Sequence, residues 1–391
     1  MKIQVAKRDL ETALQVVSSS LGSGSEGDIS THFLFRARKE GKDWKAEVLT
    51  YTERLCAGAP FIAKVEVEDD GPTAFTIPGW RIKGVLSVFP DAALTFEYDD
   101  ESKMITYRGP RGEDGSIQFE SLDPDDYPYW DAGVKEAKSV AKIPAASLRR
   151  AVMWARPFVL LDSETRRPDL CVFESREGTI HASNMKSAAL VTVPGMKDSA
   201  LRVHGGDAPK IVSFLDTFGE EGEVEILESD LALYLKRGDG AVFGETRYNV
   251  KFPDNMKMGQ VDVDPLWWEF PISELKDSIH VLLHAANKDD NRLRFKSGKK
   301  ETLILEMLRN SGNGNARQSI PLVDSGAEED APELTNKGFM LDHNELKRVL
   351  SIQEDANLRM GIHPRGKSGF VRFAVSQDEI DCQIILAWLR E

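Results

Sequence analysis

The sequence predicts an α+β protein of three tandem domains, each built from two copies of one unit: a strand, a helix and three more strands. Its 391 residues are too many for one ordinary hydrophobic core. Apolar residues spaced by five and then four positions recur at candidate helices: Val5, Leu10 and Leu14; Ile143, Leu148 and Val152; Phe270, Leu275 and Ile279. A unit that recurs along a chain in this way indicates repeated domains.

The first domain is predicted over residues 1–133, and it contains the unit twice. An opening strand leads into a helix over 7–18. The segments HFLFRAR, WKAEVLTY and FIAKVEVE follow and alternate like half-buried antiparallel strands. TAFTIP, a helix over 79–89 and the segments ALTFEYD, MITYRG and SIQFES repeat this order. The domain ends in the Pro- and Asp-rich exit SLDPDDYPYW.

The second and third domains are predicted over residues 134–263 and 264–391, because the same order returns twice in each. In the second domain, helices over 146–156 and 208–218 each precede three alternating segments, from LCVFES to VFGETRYNV. In the third, helices over 273–284 and 343–352 precede further alternating segments, from RLRFKS to CQIILAWL. The chain therefore carries six strand–helix–strands units.

Composition predicts a cytoplasmic protein that does not insert into a membrane. Apolar residues make up 41% of the chain, but no run approaches the ~18–20 residues that cross a bilayer. Cys56, Cys171 and Cys382 are scattered without paired spacing, which indicates reduced thiols rather than disulfides or a zinc site. No metal or cofactor is predicted.

Charge is unevenly distributed along the chain. The formal net charge is −14, yet the six candidate helices together carry a net positive charge, led by the arginines of the segment IPAASLRRAVMWAR. Mildly basic helices in an acidic chain can present opposite potentials on different surfaces. The same charges are also typical of helix faces that are merely solvated, so charge alone leaves both interpretations open.

Several segments, taken in order, resemble the bacterial sliding clamp family, the beta subunit of DNA polymerase III. They are MKIQVAKRDLETALQVVSSSLG, SLDPDDYP, IPAASLRRAVMWARPFV, RYNVKFPD, DSGAE and IILAWLRE. The resemblance covers essentially the whole chain and depends on the order and spacing of the segments. It implies the DNA-clamp fold and a homodimeric, head-to-tail ring with helices inside and sheets outside. It also implies a binding protein without catalytic residues.

A clamp that slides needs a diffuse positive field toward phosphates rather than contacts to bases. The resemblance therefore implies contacts to double-stranded DNA from basic residues on the candidate helices and on the loop after the third helix. These are Arg81, Lys83, Arg149, Arg150, Arg156, Arg166, Arg167, Lys210, Lys347 and Arg348. One departure is the loop GSGSEGDIS, which is acidic and glycine-rich where the family has a basic residue.

The resemblance also implies a pocket for the short apolar motifs of DNA polymerase and other client proteins. Matching positions are Pro168, Ser183, Met185, Pro253, Lys257, Met258, Ile385, Leu386 and Trp388. The family's wall sequence Thr-Asp-Gly-His-Arg-Leu is replaced by SNMKSA at 183–188, where only the Ser is close. This difference predicts a pocket with altered specificity in a divergent clamp.

Two glycine-rich motifs suggest nucleotide binding, but their context argues against it. Residues 361–368, GIHPRGKS, fit the P-loop formula, which requires a helix directly afterwards. GFVRFAVS follows instead, and it alternates like a strand. Residues 22–27, GSGSEG, fit the dinucleotide fingerprint but follow a helix and precede a strand, which reverses the required order.

Two residue pairs have both a functional and a structural interpretation. His280 and His284 are four residues apart on a candidate helix and could share a metal, but no Cys or third His is near them in sequence. Trp267 and Trp268 could stack on a base, but packing at the start of the third domain is favoured. Neither pair provides a catalytic arrangement.

The leading hypothesis is a non-enzymatic processivity factor for DNA replication, with double-stranded DNA, a DNA polymerase, a clamp loader, other clamp-binding-motif proteins and a second copy of itself as partners. One alternative is a clamp-fold accessory or decoy protein that binds client peptides without encircling DNA. Another is a P-loop nucleotide hydrolase that uses residues 361–368.

Overall fold

The computed structural model describes all residues except 26, 69–70, 110–115, 129, 197–200, 220, 251–263, 286–291, 300, 308–315, 329–337, 353–355, 366–367 and 390–391. The predicted pocket residues Pro253, Lys257 and Met258 therefore lie outside the described residues. None of the described helices is both long and apolar enough to cross a membrane.

The six predicted helices are all present, within a few residues of their expected bounds. The helices are α1 (Lys7–Val17), α2 (Gly79–Val88), α3 (Asp131–Glu136), α4 (Ala145–Ala155), α5 (Ala208–Leu215), α6 (Ile272–Ala285) and α7 (His343–Ile352). Only α3 was not expected, because six residues are too short to show an apolar period.

The strands of the first three units also follow the predicted order. They are β1 (Lys2–Ala6), β2 (His32–Glu40), β3 (Asp43–Tyr51), β4 (Leu55–Phe61), β5 (Ala63–Glu66), β6 (Ala74–Pro78), β7 (Ala93–Asp99), β8 (Met104–Arg108), β9 (Ser116–Glu120), β10 (Lys138–Pro144), β11 (Val172–Arg176), β12 (Thr179–Ser183) and β13 (Ser187–Thr192). The predicted segment FIAKVEVE is divided between β4 and β5.

The last three units continue the order, with one additional strand in the fifth. Their strands are β14 (Arg202–His204), β15 (Glu223–Glu228), β16 (Ala232–Lys236), β17 (Val242–Thr246), β18 (Leu266–Pro271), β19 (Arg292–Ser297), β20 (Thr302–Met307), β21 (Ala316–Pro321), β22 (Asp324–Ala327), β23 (Phe339–Asp342), β24 (Asn357–Arg365), β25 (Ser368–Gln377) and β26 (Ile380–Ala387). A strand, a helix and three further strands are thus found six times, with a fourth strand after the helix in the first and fifth units, and the predicted α+β class is confirmed.

The chain forms two compact units, the first from residues 1–149 and 207–248 and the second from residues 150–206 and 249–391. The first unit contains a five-stranded sheet in the order β5-β1-β7-β8-β9. It also contains an eight-stranded sheet in the order β10-β15-β16-β17-β4-β3-β2-β6. All their pairings are antiparallel, and β17 pairs with β4, so the larger sheet runs across the predicted boundary at residue 133.

The second compact unit contains a nine-stranded sheet and a four-stranded sheet. The larger has the order β14-β11-β12-β13-β26-β25-β24-β18-β22, and the smaller β21-β20-β19-β23. Here β13 pairs with β26, so this sheet joins strands from the predicted second and third domains. The division at residues 133 and 263 stays a prediction, because the sheets are continuous across it.

Opening strands are exchanged within each predicted domain. β1 pairs with β7 of the following unit, and β6 pairs with β2 of the preceding one. In the same way β10 pairs with β15, β14 with β11, β18 with β24 and β23 with β19. Because the opening strand of each unit pairs with a strand of the other unit in the same predicted domain, neither unit forms its complete sheet alone.

The P-loop alternative is wrong, because the fitted motif lies in a hairpin. Residues 361–365 end β24, and Ser368 begins β25, so no helix N-terminus is available to bind a phosphate. Gly361 is required by packing rather than by a ligand. A Cβ atom there would lie 2.0 Å from Oδ1 of Asp264.

Asp264 is the centre of a polar cluster beside this hairpin. His363 Nε2 lies 2.9 Å from its Oδ1, and Arg372 donates from Nε and Nη2 to its two oxygens, each at 2.8 Å. Burial opposes ionisation of the carboxyl group, but the hydrogen bonds from His363 and Arg372 outweigh it and hold the pKa of Asp264 well below its usual range.

Asp264→Asn is expected to lower the free energy of unfolding by about 2 kcal/mol at pH 7, because it removes charge-assisted hydrogen bonds. A carboxyl group whose pKa is lower in the folded state stabilises the fold at a pH above its unfolded pKa of about 3.9, and this contribution is lost as the pH falls below that value. Urea titrations from pH 7 to pH 3 should therefore show a difference between wild type and variant that shrinks toward pH 3. A constant difference would contradict this assignment.

Candidate nucleic-acid interface and peptide-docking surface

The segment at 143–156 folds as the amphipathic helix that its spacing predicted. In α4, Leu148, Val152 and Ala155 are fully buried, while Arg149 and Arg150 are half-buried and Met153 is exposed. Arg156 follows in a 3-10 turn, Arg156–Phe158, and is exposed. The apolar face packs on the core, so the three arginines lie on the opposite side of the segment.

Three of the predicted DNA-binding arginines form ion pairs, two with residues distant in sequence and one with a residue of the same loop. Arg149 pairs with Asp216, and Arg150 pairs with Asp378. Arg167 Nη2 lies 2.6 Å from Asp169 Oδ2. Ion pairs of this exposed kind contribute only ~0–1 kcal/mol, so a phosphate could replace the carboxylate at modest cost.

Three other predicted cations are available on the second compact unit. Arg156, Arg166 and Lys347 are exposed and form no ion pair with any residue in the described part of the chain. Arg348, next to Lys347 on α7, donates from Nη1 to the carbonyl oxygen of Pro157, next to Arg156. This hydrogen bond fastens α7 to the end of the α4 segment and brings Lys347 and Arg156 onto neighbouring elements.

The remaining predicted cations lie on the first compact unit. Lys210 Nζ on α5 lies 3.6 Å from the buried carboxylate of Asp207, which also pairs with Arg54. Arg81 and Lys83 are exposed on α2. The Lys83 ammonium lies 5.7 Å from the ring centroid of Phe33, and partial burial there lowers its pKa.

The loop that carries Arg166 and Arg167 is held by a cluster of three possible metal ligands, Asp162, Cys171 and His204. His204 Nδ1 accepts a hydrogen bond from the Gly206 amide at 3.2 Å, so its Nε2 carries the proton and donates to Asp162 Oδ1 at 3.1 Å. Burial, and next the charge of Asp162, raise the pKa of the Cys171 thiol to about 11. Hydrogen bonding thus explains why these three side chains lie together without a metal. The bond between Asp162 and His204 anchors the loop to β14.

The predicted pocket wall and the C-terminal strand are neighbours in the nine-stranded sheet. Ser187 pairs with Leu386, and Ala188 pairs with Ile385. Pro168 and Met185 are exposed, Ser183 and Ile385 are buried, and Leu386 is only 1% exposed. Ser183 at the end of β12 pairs with Ala188 of β13, so the wall at 183–188 and Ile385 of β26 lie side by side in one sheet, while Leu386 contributes mainly to the core.

Trp388 is held by aromatic stacking at the end of the same strand. Its ring lies 4.9 Å from that of Phe339 at an angle of 9°, and Phe339 in turn stacks on Phe295 and Trp268. The Trp388 amide donates to the carbonyl of Gly369 at 3.0 Å. Trp388 is half-buried, so part of its surface remains available to a partner.

A buried carboxylate that sequence reasoning missed holds the wall in place. Glu345 of α7 is 6% exposed and accepts a hydrogen bond from Asn184 Nδ2 at 2.8 Å, and another from Ser187 Oγ. Arg348 Nε lies 3.5 Å from the same oxygen. The sequence does contain an indication of this burial, because Glu345 shares a helix face with the apolar residues Val349 and Ile352, both of which are buried. A Glu at an apolar position indicates a buried partner.

The two ambiguous pairs have structural explanations. Trp268 is buried against Phe339, and Trp267 lies under the guanidinium of Arg359, 4.1 Å from its ring centroid. His280 and His284 are exposed, and their Nε2 atoms lie 3.1 Å apart, within hydrogen-bonding distance of each other.

Comparison with known proteins connects the chain to one fold. No protein-family model matches the sequence, and no curated protein matches it.

Solved structures match over the full length. The DNA polymerase III subunit beta from Pseudomonas aeruginosa has a TM-score of 0.80 at 13% identity, covering 100% of both chains. The DNA polymerase sliding clamp from Caulobacter crescentus has 0.80 at 14%, covering 100% of both chains. The one from Bacillus subtilis has 0.78 at 17%, covering 100% of this chain and 99% of its own. The fold of this chain is therefore the sliding-clamp fold, as the resemblance of its segments predicted.

Proposed function

We propose that this chain is a DNA polymerase processivity factor. Two copies join head to tail into a ring that encircles duplex DNA, a clamp loader places the ring, and clients are tethered through the surface formed by β13 and β26. The observation that carries the proposal is the full-length match to DNA polymerase sliding clamps, with a TM-score of 0.80 over 100% of both chains. Encircling DNA depends on the whole fold rather than on a few side chains. A fold that is kept over its full length at 13% sequence identity therefore supports this role.

The electrostatics support a protein that holds DNA loosely. The chain carries a net charge of −14, and the exposed cations among the predicted DNA contacts are distributed over α2, α7, the end of the α4 segment and one loop. Phosphate contacts without base contacts give sequence-independent binding that weakens with salt. Such binding allows sliding, and the acidic remainder disfavours DNA on other surfaces. The role requires no catalytic group or cofactor, and we place the protein in the cytoplasm with the DNA.

Topological binding is the decisive test. The purified chain is expected to have a solution mass twice its 43.6 kDa. After loading by its clamp loader, it should stay on a nicked circular plasmid through gel filtration and should be lost when the plasmid is linearised. A monomer at every concentration, or equal retention on circular and linear DNA, would overturn the proposal.

A second candidate is a clamp-fold accessory protein that binds client peptides without encircling DNA. The ion pairs formed by Arg149, Arg150 and Arg167 favour it, because these predicted DNA contacts are already satisfied by carboxylates. The same experiment distinguishes the two candidates. A chain that binds the clamp-binding peptide of a cognate polymerase but is never retained on circular DNA would have the accessory role.

A further inference from the structure

Helix α2 presents an aromatic and basic surface that the proposed contact to duplex DNA does not explain. Trp80 is 61% exposed, which is unusual for a side chain of this size. Arg81 and Lys83 are also exposed, and the sequence of α2, GWRIKGVLSV, contains no acidic residue. Its buried face is formed by Gly79, Ile82 and Leu86, so Trp80 is not required to fill the core.

The cation beside Trp80 is already positioned for a stacked ligand. The Arg81 guanidinium carbon lies 5.0 Å from the Trp80 ring centroid, within the range of a cation–π contact. One guanidinium can cover only one face of an indole. The other face is left for a second flat group, and the positive charge next to it favours a ligand that carries phosphates.

Gly84 keeps the surface next to Trp80 open. Residues four apart lie on the same face of a helix, and the side chain of the later one leans toward the N-terminus, over the earlier one. A side chain at position 84 would therefore lean over Trp80. A Cβ atom at Gly84 would meet no atom within 4 Å, so the space above this turn is empty.

We propose that α2 binds an unpaired nucleobase of single-stranded DNA. The base stacks on the exposed face of Trp80, and Arg81 and Lys83 contact its phosphates. Exposed aromatic rings beside cations are how proteins bind single strands without reading sequence. A paired base inside a duplex is already stacked on both faces, so this site selects the single-stranded DNA next to a primer end. The inference rests on the proposed function, because it assigns a second DNA structure to the same clamp.

Three substitutions test the site in the full-length chain. Trp80→Ala removes the stacking surface, and Gly84→Leu covers it while Trp80 and both cations remain in the chain. Gly84→Ala is the matched control, because alanine and leucine both raise helix propensity relative to glycine, but alanine adds only a methyl group in open space. The probes are a fluorescent oligothymidylate and a duplex of the same length, followed by anisotropy at one fixed salt concentration.

Trp80→Ala and Gly84→Leu are each expected to weaken oligothymidylate binding by about 5- to 150-fold, the range that loss of one stacked base predicts. Their duplex affinity, and the affinities of Gly84→Ala for both probes, should stay within about twofold of wild type. Equal losses on single strand and duplex, or no loss with either variant, would overturn the inference. Retention on circular DNA is measured separately, so failure of this site and failure of the clamp function give different results.

Discussion

Replacing Arg156, Arg166 and Lys347 together by alanine is expected to lower the affinity for linear duplex DNA by about 10²- to 10³-fold at 0.1 M salt. Each phosphate contact changes the slope of log affinity against log salt concentration by about 0.9, so three lost contacts change it by nearly 3. These three cations are exposed and have no ionic partner in the described ranges of the chain, so they can reach phosphates without losing another interaction.

The matched control is the triple replacement of Arg149, Arg150 and Arg167, which removes the same charge from paired positions. A phosphate must displace a carboxylate at each of these arginines, so their loss is expected to cost less affinity and to change the salt slope by less. Filter binding of both variants between 50 and 300 mM salt measures affinity and slope together. A larger change in the salt slope for the Arg149, Arg150 and Arg167 variant would mean that these arginines leave their carboxylates and contact phosphates. The expectation that Arg156, Arg166 and Lys347 contribute more to DNA affinity would then be wrong.

Glu345→Ala is expected to lower the free energy of unfolding by about 2–3 kcal/mol. The change leaves Asn184 Nδ2, in the turn that precedes β13, without an acceptor, and an unsatisfied buried donor costs ~1–3 kcal/mol. Ser187 Oγ, at the start of β13, loses one hydrogen bond but keeps Asn184 Oδ1 at 3.1 Å. The loss should appear as a lower urea midpoint at an unchanged slope.

Glu345→Gln is the conservative control for this network, because one side-chain oxygen remains to accept from Asn184. Its expected cost is about 1 kcal/mol. Asn344→Ala, at the exposed neighbouring position, should change stability by less than about 0.5 kcal/mol. Since the turn forms part of the proposed client surface, Glu345→Ala should also weaken binding of a clamp-binding peptide. A stable Glu345→Ala variant would mean that water can replace the carboxylate.

The helices were predictable because each one repeats its apolar residues at helical spacing. Leu10 and Leu14 of α1, and Leu346 and Leu350 of α7, are buried as that spacing requires. The strands were predictable because their apolar and polar residues alternate. The short helix α3 was missed because its six residues span less than two turns.

The candidate site was only partly predictable. The arginines of the α4 segment could be placed on the face opposite its apolar residues. Their partners could not, because Asp216 and Asp378 lie 67 and 228 residues away from Arg149 and Arg150. The contact between Glu345 and Asn184 likewise spans 161 residues. Local spacing contains no information about which distant carboxylate or amide completes such a pair.

The sequence by itself determined the order of helices and strands, the sixfold repeat and the buried face of each helix, because these follow from periods of two and 3.6 residues along a local segment. Only the tertiary structure decided that opening strands are exchanged between neighbouring units, that β4 pairs with β17 and β13 with β26, and which of the described cations have a carboxylate beside them. Antiparallel strands of similar alternation can pair in many combinations. The choice among them is made by packing over the whole sheet, which no local segment encodes.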